Sequence, residues 1–159
     1  MADCGPTQYK SAAEWVYAEG GQVPNGAVPG GEDSGETIYV ARAHHGGDNI
    51  PGKLHPSHEC VYIPWGGEEH SHREYQVLVN YCGSQLEWKY ASEGEIPTGA
   101  IQGGATADGE VLYIGRTLHE GTLTIGKVHP SHGVLYIAYG GQEISYPNYE
   151  ILVLKSVTF

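Results

Sequence analysis

Hydrophobic and polar positions alternate along this chain with a period of two, over short runs closed by glycine. Glu36-Thr-Ile-Tyr-Val-Ala-Arg42 is rich in β-branched and aromatic residues and is flanked by Gly35 and Gly46-Gly47. Glu59-Cys-Val-Tyr-Ile-Pro-Trp65 stops at Gly66-Gly67, and Tyr75-Gln-Val-Leu-Val-Asn-Tyr81 puts Val77 and Val79 on one face. Trp15-Val-Tyr-Ala18 reads as a fourth, shorter strand, and only the Ser11–Tyr17 region has room for a turn of helix. Nowhere do apolar residues recur at i, i+3 and i+4 over the length that an amphipathic helix needs. The pattern predicts an all-β protein of antiparallel sheets.

The strands come twice. Trp15-Val-Tyr-Ala returns as Trp88-Lys-Tyr-Ala, an offset of 73 residues, as Pro24-Asn-Gly-Ala-Val does in Pro97-Thr-Gly-Ala-Ile. One inserted residue then makes the offset 74, and the match becomes dense. Tyr39-Val-Ala-Arg pairs with Tyr113-Ile-Gly-Arg, Gly52-Lys-Leu-His-Pro-Ser-His with Gly126-Lys-Val-His-Pro-Ser-His, and Tyr75-Gln-Val-Leu-Val with Tyr149-Glu-Ile-Leu-Val. The expected organisation is an N-terminal tail (1–14), a first repeat (15–80), a linker (81–87), a second repeat (88–154) and a C-terminal tail (155–159). Units of this size bury little core alone, so the two are expected to pack into one pseudo-symmetric body.

Composition narrows the functional classes. Eight Lys+Arg stand against 19 Asp+Glu, a formal net charge of −11. Phosphate-backbone binding needs clustered cations, so nucleic acid is an unsuitable partner. No run approaches the roughly 20 apolar residues of a membrane helix. The opening MADCGPTQYK has no apolar signal core, which suggests a cytoplasmic protein with non-classical secretion left open. Cys4, Cys60 and Cys82 are too sparse for a disulfide framework and read as reduced thiols, although one pair has the means to form under oxidising conditions.

Catalytic and metal chemistry find little support. The chain lacks Gly-x-Ser-x-Gly, the P-loop pattern and His-Glu-x-x-His, so a binding protein is expected rather than an enzyme. The Gly30-Gly31 and Gly103-Gly104 pairs lack the strand-to-helix setting of a phosphate cradle. Zinc requires three or four converging ligands. The proline within His55-Pro-Ser-His58 and His129-Pro-Ser-His132 predicts a rigid turn whose two rings do not align, and Val134 stands where the first copy has Cys60. No metal and no cofactor are implied.

The duplicated run as a whole, Trp-Val-x-Ala, Val-Pro-x-Gly-Ala-Val, Tyr-Val-Ala-Arg-Ala, Pro-Gly-Lys, Gly-Gly-x-Glu-His and Tyr-x-Val-Leu, resembles the DM-nine (DM9) repeat over almost the whole chain. This repeat occurs in tandem in bivalve mannose-binding lectins and ahead of the pore-forming module of natterin-like proteins, a module not expected here. The resemblance implies a carbohydrate-binding protein of innate pattern recognition, a homodimer, with mannose-containing glycans on microbial surfaces as ligands; the alternative is a non-catalytic protein-interaction or stress-response module without sugar binding. It further implies that Asp33 and Lys53 contact the sugar in the first copy. In the second copy Lys127 is kept, while the aligned acid position is Thr106 and the nearest acid is Asp108.

The residues agree with such chemistry. A carboxylate accepts protons from vicinal hydroxyls while an ammonium donates to neighbouring oxygens, and such charge-assisted bonds are the strong kind. A turn cap at Asp33 and a surface ion pair at Lys53 are the plainer alternative. Glu69 and Glu143 recur after Gly-Gly and join the candidates. Glu36 and Glu110 are expected to cap turns or pair across strands with Arg42 and Arg116. The repeated tyrosines Tyr39/Tyr113, Tyr62/Tyr136 and Tyr75/Tyr149 are expected in the core. The apolar strands Tyr75–Tyr81 and Tyr149–Leu154 are expected to offer the edge through which two copies pair.

Overall fold

The structure, a computed structural model, describes residues 13–155. Every regular element apart from two 3-10 turns is a strand: β1 (Glu14–Glu19), β2 (Pro29–Asp33), β3 (Glu36–His45), β4 (Asp48–His55), β5 (Cys60–Trp65), β6 (Glu68–His72) and β7 (Glu74–Val79), then β8 (Leu86–Ser92), β9 (Gln102–Ala105), β10 (Val111–His119), β11 (Thr122–His129), β12 (Val134–Tyr139), β13 (Gln142–Tyr146) and β14 (Asn148–Leu154). The segment with room for a helical turn is strand β1 from Glu14 onward. The protein is all-β, and no helix among the described residues is long and apolar enough to cross a membrane.

The two halves exchange strands. β2 pairs with β3 of its own half and, through Glu32, with Leu123 on β11. Reciprocally β9 pairs with β10 and, through Ala105, with Asn49 on β4. β6 and β13 meet at Glu68 and Gln142. With β3 also paired to β4, the strands β3-β2-β11-β12-β13-β6-β5-β4 close into an eight-stranded ring; β7 and β1 extend from β3, while β9 and β10 follow β4 and carry β14 and β8. Closure removes most open edges.

Glycine makes the exchange sterically possible. A Cβ on Gly31 would lie 1.9 Å from the Leu123 carbonyl oxygen, and one on Gly104 would lie 2.0 Å from that of Asn49. The Gly-Gly pairs are therefore places of close strand approach.

Three apolar clusters fill the molecule. One belongs to the first half (Ile50, Leu54, Val61, Ile63, Val77) and one to the second (Val128, Leu135, Ile137, Ile151, Val153). The third is shared: Val28, Ile38, Val40 and Leu78 pack against Ile114, Ile125 and Leu152, with Trp15 and Trp88 alongside. The apolar strands expected to form a dimer edge are internal. β7 lies between β1 and β3, and β14 between β8 and β10, because their both-sided hydrophobicity demands cover. The open edges are β1 and β8. Cys60 is a free, buried thiol, whereas Cys82 is disulfide-bonded, contrary to the expectation of reduced thiols; Cys4 lies outside the described residues.

Candidate functional site

Lys53 points inward from β4 and is only 4% exposed. Its ammonium donates to the Thr124 hydroxyl at 3.1 Å and to the Ala138 carbonyl at 2.8 Å, both from the second half. The rings of Tyr62 and Tyr139 stand 5.9 and 5.2 Å from the ammonium. Burial draws the Lys53 pKa down, while Glu69 and Asp33 oppose that shift. Burial also pushes Tyr62 up to about 12, with help from a Cys60 bond, so its phenol stays neutral. Both tyrosines wall the site, a correction to the core role expected for Tyr62. The expectation does hold for Tyr75 and Tyr149, at 3% and 2% exposure.

The acids arrive by turn geometry. Ser34 and Gly35, both at positive φ, make a two-residue hairpin that sets Asp33 opposite Glu36. His55 lies between these two carboxylates, with Nε2 3.1 Å from Asp33 Oδ2 and Nδ1 3.0 Å from Glu36 Oε1. Glu36 also accepts bonds from the Ser57 amide and hydroxyl at 2.8 and 2.6 Å. The Ser57 hydroxyl bond is the main cause holding its carboxyl below the ordinary range, against an opposing effect of burial. Glu36 thus caps the 3-10 turn Pro56–His58 and does not pair with Arg42, whose Nε donates to Gln76. In each His-Pro-Ser-His segment the rings stack, at 3.7 Å for His55/His58 and 3.6 Å for His129/His132, contrary to the expected misalignment. The 3-10 turn produces this overlap by bringing residues three apart onto one side.

Glu69 accepts the Gly141 amide at 3.0 Å across the seam between β6 and β13. With Asp33, Lys53, His55, His58, Tyr62, Tyr139 and Gly140 it lines an open cleft of about 270 Å³. That is just below the range of drug-sized ligand sites, which run from roughly 300 Å³ upward. Asp33, Lys53 and Glu69 are thus brought together as candidates, and Tyr139 and Gly140 complete the lining from the other half.

The second copy is built differently. Lys127, 5% exposed, forms an ion pair with Glu143 at 3.1 Å and lies 5.3 Å from the Tyr136 ring. Glu143 also accepts the Gly67 amide at 2.8 Å, mirroring Glu69. Glu110 accepts bonds from Ser131 and faces His129 at 3.0 Å, and Arg116 pairs with Glu150 rather than with Glu110. The inserted residue lengthens the hairpin, so that Thr106 binds Glu110 and Asp108 sits exposed in the turn. No contact among the described residues joins Asp108 to Lys127.

Tyr139, Thr124 and the stacked histidines were not singled out from sequence as site residues. The duplicated His-Pro-Ser-His motif was a usable signal for the histidines. For Thr124 and Tyr139 the first-copy equivalents are Ile50 and Trp65, so duplication carried no signal.

A buried ammonium facing acceptor oxygens in a small tyrosine-walled cleft is the geometry of a binding module. The DM9 repeat family profile matches residues 4–71 and 32–146, and the chain belongs to that family. It is 33% identical to natterin-4 of Thalassophryne nattereri over 145 residues, covering 90% of this chain and 34% of that protein. Natterin-3 of the same organism is 31% identical over 150 residues, covering 92% of this chain and 38% of the relative. The chain thus spans little more than a third of the length of these curated relatives. In fold it is similar to the nematode sperm cell motility protein MFP2B, with a TM-score of 0.70 at 16% identity, covering 98% of this chain and 50% of that one.

Proposed function

We propose that this chain is a lectin of mannose type that recognises glycans on microbial surfaces in innate immunity, acts without catalysis and works as a homodimer. The observation that carries the reading is the first cleft, where Lys53 is buried without an ion-pair partner among the described residues, between Asp33 and Glu69. A hexose offers vicinal hydroxyls, each donor and acceptor. Two carboxylates accept those protons while the ammonium donates to the ring-side oxygens. Tyr62 and Tyr139 supply flat apolar walls suited to the C–H face of a pyranose. Linked sites in a dimer raise avidity on a glycan-coated surface.

Calorimetric titration with methyl α-mannoside tests the proposal, and no heat at millimolar sugar would sink it. The two sites are expected to be unequal. Losing a charge-assisted bond costs about 1.5–3 kcal/mol, roughly ten- to a hundredfold in affinity. Lys53→Ala is therefore expected to remove most binding, while Lys127→Ala has a mild effect because Lys127 is already committed to Glu143. Equal losses from both would contradict this assignment.

A further inference from the structure

The two lysine sites share a framework yet hold their ammonium groups in opposite ways. Lys127 meets the Glu143 carboxylate at 3.1 Å, with both side chains nearly buried. Lys53 instead reaches across the ring to Thr124 on β11 and to the carbonyl of Ala138 on β12. Glu69, the counterpart of Glu143, keeps its bond to the opposite amide but makes no ion pair with Lys53 among the described residues. Of the differences between the two sites, the one at the side-chain acceptor of the ammonium is placed to cause this. Position 124 has position 50 as its counterpart, and there the residue is Ile50. Both side chains are fully buried, so neither touches solvent or the cleft directly.

We infer that Thr124 is a positioning residue of the first site: its hydroxyl holds the Lys53 ammonium away from Glu69 and so keeps donor and acceptor separately available to a ligand. The inference rests on the sugar-binding reading above. A buried ammonium has three N–H groups to satisfy. With a hydroxyl at 3.1 Å and a carbonyl at 2.8 Å two are used by neutral acceptors, and one remains for the cleft. Glu69 uses one oxygen on the Gly141 amide and keeps the other for a sugar hydroxyl. An isoleucine at this position has no acceptor. The lysine then takes the nearest carboxylate, and a ligand must first break a shielded ion pair, which is costly. The second site is in that closed-up condition. The first is open because a residue from the other half of the molecule opens it.

The experiment uses the whole chain carrying Lys127→Ala, so that the first site is read alone. Thr124→Val removes the hydroxyl at nearly constant volume, and Thr124→Ser restores it. Methyl α-mannoside affinity is measured by calorimetry, and the Lys53 ammonium signal is followed by proton–nitrogen NMR. Thr124→Val is expected to move the ammonium signal to that of a carboxylate-paired lysine and to weaken binding roughly tenfold, with Thr124→Ser recovering both. In the opposite direction, Ile50→Thr in the otherwise wild-type chain is expected to draw Lys127 off Glu143, read from the Lys127 signal. An unchanged ammonium signal in Thr124→Val, or a changed signal with unchanged affinity, overturns the inference. A wild-type chain that binds no methyl α-mannoside overturns the sugar reading instead. The ammonium signals of the Thr124 and Ile50 variants then still decide whether Thr124 holds Lys53.

Discussion

Single residues where the two copies differ contribute to the chain's response to acid. His45, His70 and His72 converge in the first copy, with His45 Nδ1 3.1 Å from His72 Nε2 and the rings of His45 and His70 stacked at 4.0 Å. The second copy has His119, Ile144 and Tyr146 at these places. Burial first, and neighbouring imidazoles second, draw the pKa values of His45 and His72 below 6.5. A histidine with a depressed folded pKa binds fewer protons folded than unfolded, so its contribution is complete above pH 6.5 and is lost as pH falls toward the folded value. Glu36 and Glu110, held below 4.5 chiefly by Ser57 and Ser131, act in the same direction but only in more acidic solution. The melting temperature is therefore expected to fall between pH 7 and pH 5 through the histidines. The variant His70→Ile with His72→Tyr, which imports the second copy's residues, is expected to flatten that slope. Equal slopes in variant and wild type would show that the cluster is not the cause.

At the scale of elements, the exchanged strands β2 and β9 hold the design together. Gly31 and Gly104 lie where a Cβ would meet a backbone oxygen at 1.9 and 2.0 Å, and backbone cannot turn aside as a side chain can. Gly31→Ala is expected to destabilise the protein by about 3 kcal/mol, measured by urea unfolding. Gly35→Ala, with φ of +82° and open space around it, is expected to cost only the left-handed strain of about 1–2 kcal/mol. Comparable losses at the two positions would refute close strand approach as the reason for Gly31. The strands themselves were legible because period-two runs and glycine pairs are local signals. Lys53, Lys127, Glu69 and Glu143 were legible because they recur. The exchange was not, since nothing local distinguishes a strand that pairs within its own half from one that also pairs across. Thr124 and Tyr139, which complete the first site from the other half, stayed hidden for the same reason. The dimer edge was misplaced because apolar strands such as β7 are hydrophobic on account of being covered on both sides.

At the scale of the whole molecule, the halves are expected to depend on each other for folding. Val28, Ile38, Val40 and Leu78 are buried against Ile114, Ile125 and Leu152, so separation exposes a fully apolar surface on each side. Separation also leaves the outer edges of β2 and β9 without partners, and it strips Lys53 of both its hydrogen-bond acceptors. An eight-stranded ring that takes five strands from the first half and three from the second cannot close from one half alone. The full chain is accordingly expected to unfold in a single cooperative step, seen as coincident transitions by tryptophan fluorescence and far-ultraviolet dichroism. A chain cut to residues 1–84 is expected either to remain unfolded or to pair with a second copy that replaces the missing half, because the pseudo-twofold arrangement makes each half a near-complement of itself. Sedimentation combined with dichroism separates these outcomes from the contrary one. A folded, monomeric first half with its own sharp melting transition would mean that the shared cluster and the exchanged strands contribute little, and that the repeat is an autonomous unit after all.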